Sequence, residues 1–311
     1  MTGATPGLTE WRRMTGGSTL DWDRDGADWP NRTASRFVEA AHLRWHVQRA
    51  GTGPAILLIH GTGASGHSWR DVFPLLAARA DVISVDLPGH GFTARPASAR
   101  LTLPAIAADL ARLMEALEAR PALIVGHSAG AAIALRMALD GAAEGAGLIG
   151  INGALTPFRG LAGMLFPQMA RLLALNPLTP HLVARTASDP ASVARIIGST
   201  GSQIDPLGLD LYQRLVASPT HVAATLDMMA RWQLEPLLAA LPRIAHDVTL
   251  MRGLRDRAVP PDETARAARR LPAATLEDYP EGGHLLHEEM PQQISAAILD
   301  RLPASSPVQS T

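Results

Sequence analysis

A chain of 311 residues that is 47% hydrophobic and 18% charged can build one large core, or a core with an insert, and is too apolar for a disordered chain. Its net charge of −1 supplies no basic field, which argues against nucleic acid and an anionic membrane as partners. It has no cysteine, and all 28 basic residues are arginine, which excludes disulfides, thiolate metal sites, a P-loop lysine and a pyridoxal-phosphate Schiff base.

Residues 1–20 are polar and Gly/Thr-rich, and are expected to be disordered, with Met14 a second candidate start. Arg12-Arg13 is followed by no apolar stretch, so neither a signal peptide nor a membrane span is read, and the cytoplasm is the expected location. Residues 21–32 carry Trp22 and Trp29 without a clear period, and read as an ordered arm lying on the body. Residues 36–49 alternate, with Leu43, Trp45 and Val47 on one face, and predict an antiparallel edge strand. Buried strands follow over 55–59 and 82–85, each ending in a Gly-containing loop, with a helix over 69–78 between them. Thr102-Leu103-Pro104 opens a helix to about 118. The core then continues with strand 122–125, a helical Ala/Leu run over 131–139 and strand 147–151. From 154 to 241 the strand–helix alternation stops, and Met- and Leu-rich helical pieces over 161–166, 169–175, 191–197, 210–216 and 221–232 predict an inserted helical cap. Strand 248–251, helix 262–270, strand 275–279 and a last helix to 302 resume the core, before a tail over 303–311 expected to be disordered. The expectation is an α/β fold: a mostly parallel sheet flanked by helices, the core over 21–153 and 242–302 and the cap over 154–241.

The stretch that organises the rest is Gly126-His127-Ser128-Ala129-Gly130. An apolar strand ends in it and an Ala/Leu helix begins at once, the strand–turn–helix setting of a nucleophile elbow. Ser128 then stands above the sheet, with the positive end of the following helix where an oxyanion would form. A serine hydroxyl needs a base, and the base an orienting acid. Asp256 lies just past strand 248–251 and His284 just past strand 275–279, so the order Ser128, Asp256, His284 puts all three at carboxyl ends of strands. Ser128 is read as nucleophile, His284 as base and Asp256 as its orienting acid. The backbone N–H groups of Thr62 and Ala129 are read as the oxyanion hole. Arg255 and Arg257 either hold Asp256 ionised or are solvated loop charges.

Several rival readings use the same residues. Gly61-Thr62-Gly63-Ala64-Ser65-Gly66 follows a strand, and Asp86 lies about 20 residues on, as in a dinucleotide fingerprint. That reading leaves Ser128, Asp256 and His284 unexplained, whereas an oxyanion loop accounts for the same glycines. His284, His287 and Glu288 lack metal-site spacing and a third ligand, so neither metal nor cofactor is expected. His287 stays as the alternative base. His127 and His90 read as packing residues or loop hydrogen-bonders, and Asp86 as a loop-fixing carboxylate. In the cap, Met164, Phe166, Met169, Met228, Met229 and Trp232 are expected mainly to pack onto the core, a subset lining an apolar pocket for a hydrophobic substrate. Contact of 161–178 with a membrane is peripheral at most, because Pro167 and Pro177 interrupt it.

His60-Gly61-Thr62-Gly63, Asp86-Leu87-Pro88-Gly89-His90-Gly91, the elbow, Asp256 and Gly283-His284 together resemble the α/β-hydrolase superfamily over about residues 36–302. A narrower likeness runs nearly end to end. Residues 25–32, 35–38, 60–65 and 126–132, then Asn152-Gly153-Ala154, Pro157-Phe158-Arg159-Gly160 and 198–202, resemble the magnesium-chelatase accessory-protein family of bacteriochlorophyll biosynthesis. That resemblance implies a photosynthetic bacterium, a role near magnesium insertion into protoporphyrin, and chelatase subunits as partners. It does not make the chain the chelatase, since no nucleotide-binding P-loop is present. Two readings stay open: a serine hydrolase cleaving an ester-like bond in a hydrophobic, tetrapyrrole-related substrate, and an accessory protein that binds porphyrin or chelatase on a hydrolase fold. Other chemistry on the same three residues, such as C–C bond hydrolysis or perhydrolysis, is indistinguishable at this level.

Overall fold

The computed structural model describes residues 19–156, 176, 178–186 and 189–302. Strands β1 (Ser35–Ala40) and β2 (Leu43–Ala50) form an antiparallel hairpin, and β2 pairs antiparallel with β4 (Asp81–Val85). The rest of the sheet is parallel: β3 (Ala55–Ile59), β5 (Pro121–His127), β6 (Gly147–Ile151), β7 (Val248–Gly253) and β8 (Ala274–Tyr279). The strand order is β1-β2-β4-β3-β5-β6-β7-β8.

Period-two alternation splits the core into two layers. Leu57, Ile59, Ile83, Val85 and Ile124 point to the face covered by α3 (Leu103–Ala116), α4 (Ala129–Leu139) and α10 (Pro261–Ala268). Ile56, Leu58, Val82, Leu123 and Val125 point to the face covered by α2 (Val72–Ala77) and α12 (Pro291–Leu299). Each such fully buried side chain contributes roughly 1.5–3 kcal/mol relative to exposure. Because β3 is buried on both faces, its sequence is a continuous apolar run.

Three expected elements are corrected. The single strand over 36–49 is two strands joined at Ala41 and His42, whose φ angles are 50° and 64°. Two consecutive left-handed residues make the hairpin turn that suits the twist of paired strands. The helix over 69–78 is a 3₁₀ turn, Gly66–Trp69, capped by the Ser65 side chain, followed by α2. The last helix is α11 (Leu286–Glu289) and then α12, because Pro291 at the first turn starts a new helix.

Before the sheet, the arm forms a short helix, α1 (Trp22–Asp25), capped by Asp21. Its Trp22 ring packs on Phe37, His46 and Phe92. Between β6 and β7 the described residues form five helices: α5 (Thr179–Thr186), α6 (Pro190–Ser199), α7 (Pro206–Val216), α8 (Pro219–Ala230) and α9 (Glu235–Ala240). Helices α6, α7 and α8 start with proline after Asp189, Asp205 and Ser218, each of which accepts a backbone N–H of its own first turn. The pieces expected over 161–166 and 169–175 lie outside the described residues, with Met164, Phe166 and Met169. No helix among the described residues is long and apolar enough to cross a membrane.

The insert is tied to the core by buried charge. Arg70, its side chain 4% exposed, bonds Asp205 at 2.8 Å and Glu288 at 3.0 Å. The Tyr212 hydroxyl donates to Glu288 at 2.7 Å. Burial pushes Glu288 up to about 7, despite the opposing pull of Tyr212 and Arg70. A carboxyl raised on folding stabilises most below its unfolded value, and that contribution is lost as pH rises through the folded value. Wild-type stability is therefore expected to fall by about 1–3 kcal/mol between pH 4.5 and 7 from this group. Urea unfolding of Glu288→Gln across the same range should give a visibly shallower slope.

Candidate active site

Ser128 stands at the β5–α4 junction with φ 51° and ψ −113°, a strained pair for a residue with a side chain. The surroundings enforce it. Ser128 N donates to Ile151 O at 2.9 Å, and Ser128 O accepts from Ala154 N at 3.0 Å and Ala131 N at 3.2 Å. The flanking glycines have no room for a side chain. A Cβ on Gly126 would lie 2.2 Å from the Gly130 carbonyl carbon, and one on Gly130 would lie 2.2 Å from Ile59 O. Helix α4 starts at Ala129, so its first N–H groups, which have no intrahelical partner, open beside Ser128.

The structure brings Asp256 and His284 together. The Asp256 Oδ2 to His284 Nδ1 distance is 2.8 Å, with side-chain exposures of 1% and 12%. The other oxygen, Oδ1, accepts from Ala258 N and Val259 N, both at 2.8 Å. Backbone N–H groups therefore hold this carboxylate. Of the two arginines considered for that task, Arg255 pairs with Glu281, and the Arg257 backbone N–H goes to Thr200 O. With Oδ2 accepting, Nδ1 carries the imidazole proton and Nε2 is left as the acceptor.

Two side chains outside the expected three join the loops. Asn152 follows β6 with φ 45° and is 1% exposed. Its Nδ2 donates to Gly283 O and His284 O, each at 2.8 Å, and its Oδ1 accepts from Gly253 N at 2.8 Å. His127, directly before Ser128, donates from Nε2 to the same His284 carbonyl at 2.8 Å. Among the described residues, Ser128 Oγ makes no hydrogen bond to the His284 ring. Such bonds are commonly long before substrate binds. The sequence reads His127 as a packing or loop hydrogen-bonding residue, and the loop hydrogen bond is what it makes; Asn152 has no assigned role beyond the family motif. The one local signal is an asparagine before Gly153 at the end of an apolar run, since asparagine tolerates left-handed backbone.

The β3 loop completes the cluster. A Cβ on Gly61 would lie 3.0 Å from Ser128 Cβ, so the turn bearing the half-buried Thr62 lies against the serine. Fully buried Asp86 fixes this region, accepting from Gly66 N at 2.7 Å, Phe92 N at 2.9 Å and His46 Nδ1 at 2.8 Å. Burial pushes its carboxyl up, but His46 and the backbone donors outweigh that and hold it well below the carboxylate range. The glycines that imitate a dinucleotide fingerprint are thus taken up internally: Gly61 by Ser128, Gly66 by Asp86. His287 is fully buried between the Trp69 ring at 4.3 Å and the His127 ring at 4.5 Å, and burial pushes it down to about 3. It is a packed neutral ring, whereas His284 has the carboxylate. No cluster of three metal-ligating side chains occurs among the described residues. A cavity of about 540 Å³ beside Leu103, Arg136, Asp227 and Arg231 is lined by none of the five expected site residues.

Residues 54–291 match the family model described as alpha/beta hydrolase fold. The chain belongs to the alpha/beta hydrolase fold family. This hydrolase-fold chain is 46% identical over 278 residues to the magnesium-chelatase 30 kDa subunit of Rhodobacter capsulatus, covering 89% of this chain and 97% of that one. It is 28% identical over 277 residues to the dihydrolipoyllysine-residue acetyltransferase component of the acetoin cleaving system of Pseudomonas putida, covering 88% and 70%. Among solved structures, an alpha/beta hydrolase fold protein from Burkholderia ambifaria superposes with a TM-score of 0.73 at 26% identity, covering 92% of this chain and all of that one. Both resemblances read from the sequence, to the superfamily and to the chelatase-associated family, hold.

Asn152 is expected to be structurally costly to replace. Asn152→Asp keeps the shape and the bond from Gly253, but sets a carboxylate against two carbonyls. We expect a loss of about 2–4 kcal/mol at pH 7 by urea unfolding, and a smaller one at pH 4, where the added acid can donate a proton.

Proposed function

We propose that this chain is a serine hydrolase that cleaves an ester-like bond in a hydrophobic substrate, and that it serves beside magnesium chelatase rather than as the chelatase. The observation that carries the chemical half is the 2.8 Å Asp256–His284 pair, tied through the His284 carbonyl to the residue before a strained serine. The relative from Rhodobacter capsulatus carries the other half, since its name places it with that enzyme.

Ser128 Oγ attacks the substrate carbonyl carbon while His284 Nε2 takes its proton. Asp256 holds the imidazole in the Nδ1–H tautomer and stabilises the imidazolium. The N–H groups of Thr62 and Ala129 receive the negative oxygen of the tetrahedral intermediate. Collapse breaks the bond to the leaving alkoxide, which takes the proton from His284. Water, deprotonated by the same base, then frees the acid and restores Ser128. We assign the helical insert the task of covering the substrate: buried Met228 reaches Thr62 and supplies an apolar wall.

Purified protein should react with a fluorophosphonate probe. Ser128→Ala is expected to abolish labelling, and His284→Ala to slow it about 10³-fold or more. A specific observation favours a second reading, a non-catalytic chelatase partner: the Rhodobacter capsulatus relative is named as a chelatase subunit and not as a hydrolase. That reading requires a folded wild type that does not label and that binds chelatase subunits.

A further inference from the structure

Helix α8 turns one stripe toward the loop that bears Thr62. His221, Thr225 and Met228 lie one and two turns apart, on one face. His221 Nδ1 accepts from Gly91 N at 3.1 Å, and its Nε2 donates to Gly63 O at 3.1 Å. The Thr225 methyl is the atom that a Cβ on Gly63 would meet, at 3.6 Å. Met228 Sδ is 3.8 Å from Thr62 Oγ1.

The core makes the matching contact on the other side of Thr62. His60 Nδ1 donates to Gly61 O at 2.7 Å, and its Nε2 accepts from Leu87 N at 2.9 Å. The carbonyls on both sides of Thr62 are therefore each held by a neutral imidazole, one from the core and one from the insert. In a trans peptide the C=O of one residue and the N–H of the next point in opposite directions. Fixing Gly61 O therefore aims the Thr62 N–H. Fixing Gly63 O, at a glycine with φ 82°, stops the far side of the turn from rotating. His221 is 3% exposed, and burial pushes it down to about 4, which suits a ring that must accept at one nitrogen and donate at the other.

We propose that His221 is a positioning residue for the oxyanion turn, so that helix α8 of the insert is a built-in part of the catalytic site and not a free lid. This rests on the serine-hydrolase reading above. Without the His221 contact the far side of the turn is free to rotate, which loosens the aim of the Thr62 N–H while the substrate-binding surface persists.

The test compares full-length wild type, His221→Leu, His221→Gln and Arg231→Ala, the last an exposed position just beyond α8. The readouts are the rate of fluorophosphonate labelling, and kcat and KM on p-nitrophenyl butyrate. His221→Leu fills the space without hydrogen-bonding capacity. It should lower the labelling rate and kcat about 10- to 100-fold with KM within about threefold. His221→Gln can accept from Gly91 and donate to Gly63, and should restore most of the rate. Arg231→Ala should match wild type. If His221→Leu does not fold, His221→Asn, too short to bridge both backbones, should give the same slowing. A reactive wild type with an equally reactive Leu or Asn variant overturns the clamp alone. An unreactive wild type overturns both the clamp and the hydrolase reading.

Discussion

The carboxamide of Asn152 is the joint on which the site depends. Three loops leave the ends of three different strands, and each alone has many conformations. One side chain takes the N–H at the end of β7 and the carbonyls of Gly283 and His284 in the base loop. Its own backbone is continuous with β6, which holds Ser128 through Ile151. A carboxamide suits this place because it offers two donors and an acceptor without charge, and because asparagine tolerates left-handed backbone better than most residues. His127 adds a second donor to the His284 carbonyl, from the nucleophile's side.

The strain at Ser128 follows from that arrangement. Left-handed backbone at a non-glycine residue costs about 1–3 kcal/mol, and it persists only where neighbours over-determine it. Here Gly126, Gly130 and Gly61 let three backbones approach closer than any Cβ would permit. The fold's stability, carried by two apolar layers around a mostly parallel sheet, holds this turn in place. Contacts from the insert add to it beside the base: Tyr212 meets Arg70 of the core at Glu288, and Ser202 bonds the backbone of Leu285 next to His284. The insert is thereby packed into the base loop as well as lying over the sheet.

Much of this was legible in the sequence, for stated reasons. Alternating apolar runs and helices name the fold class because each parallel strand must be buried on both faces. The elbow is legible because its glycines are required locally, and the order Ser128, Asp256, His284 because each residue falls just after a strand. What escaped is tertiary. The Ala41–His42 turn lacks the Asn-Gly pair that announces such hairpins. Asp256 is held by backbone N–H groups, which every residue except proline possesses and which leave no mark in the sequence. Glu288 and Arg70 meet from distant parts of the chain. The Gly61–Gly66 glycines fit a nucleotide loop equally well, until Asp86 and Ser128 are seen to occupy them.

The most direct test of the account is a pre-steady-state one. Full-length protein mixed with p-nitrophenyl acetate should release nitrophenol in a burst approaching one equivalent per chain, or turn over steadily if deacylation is fast, with both lost in Ser128→Ala. Nitrophenol release no faster than that of the folded Ser128→Ala protein would contradict the claim that these loops assemble an activated serine.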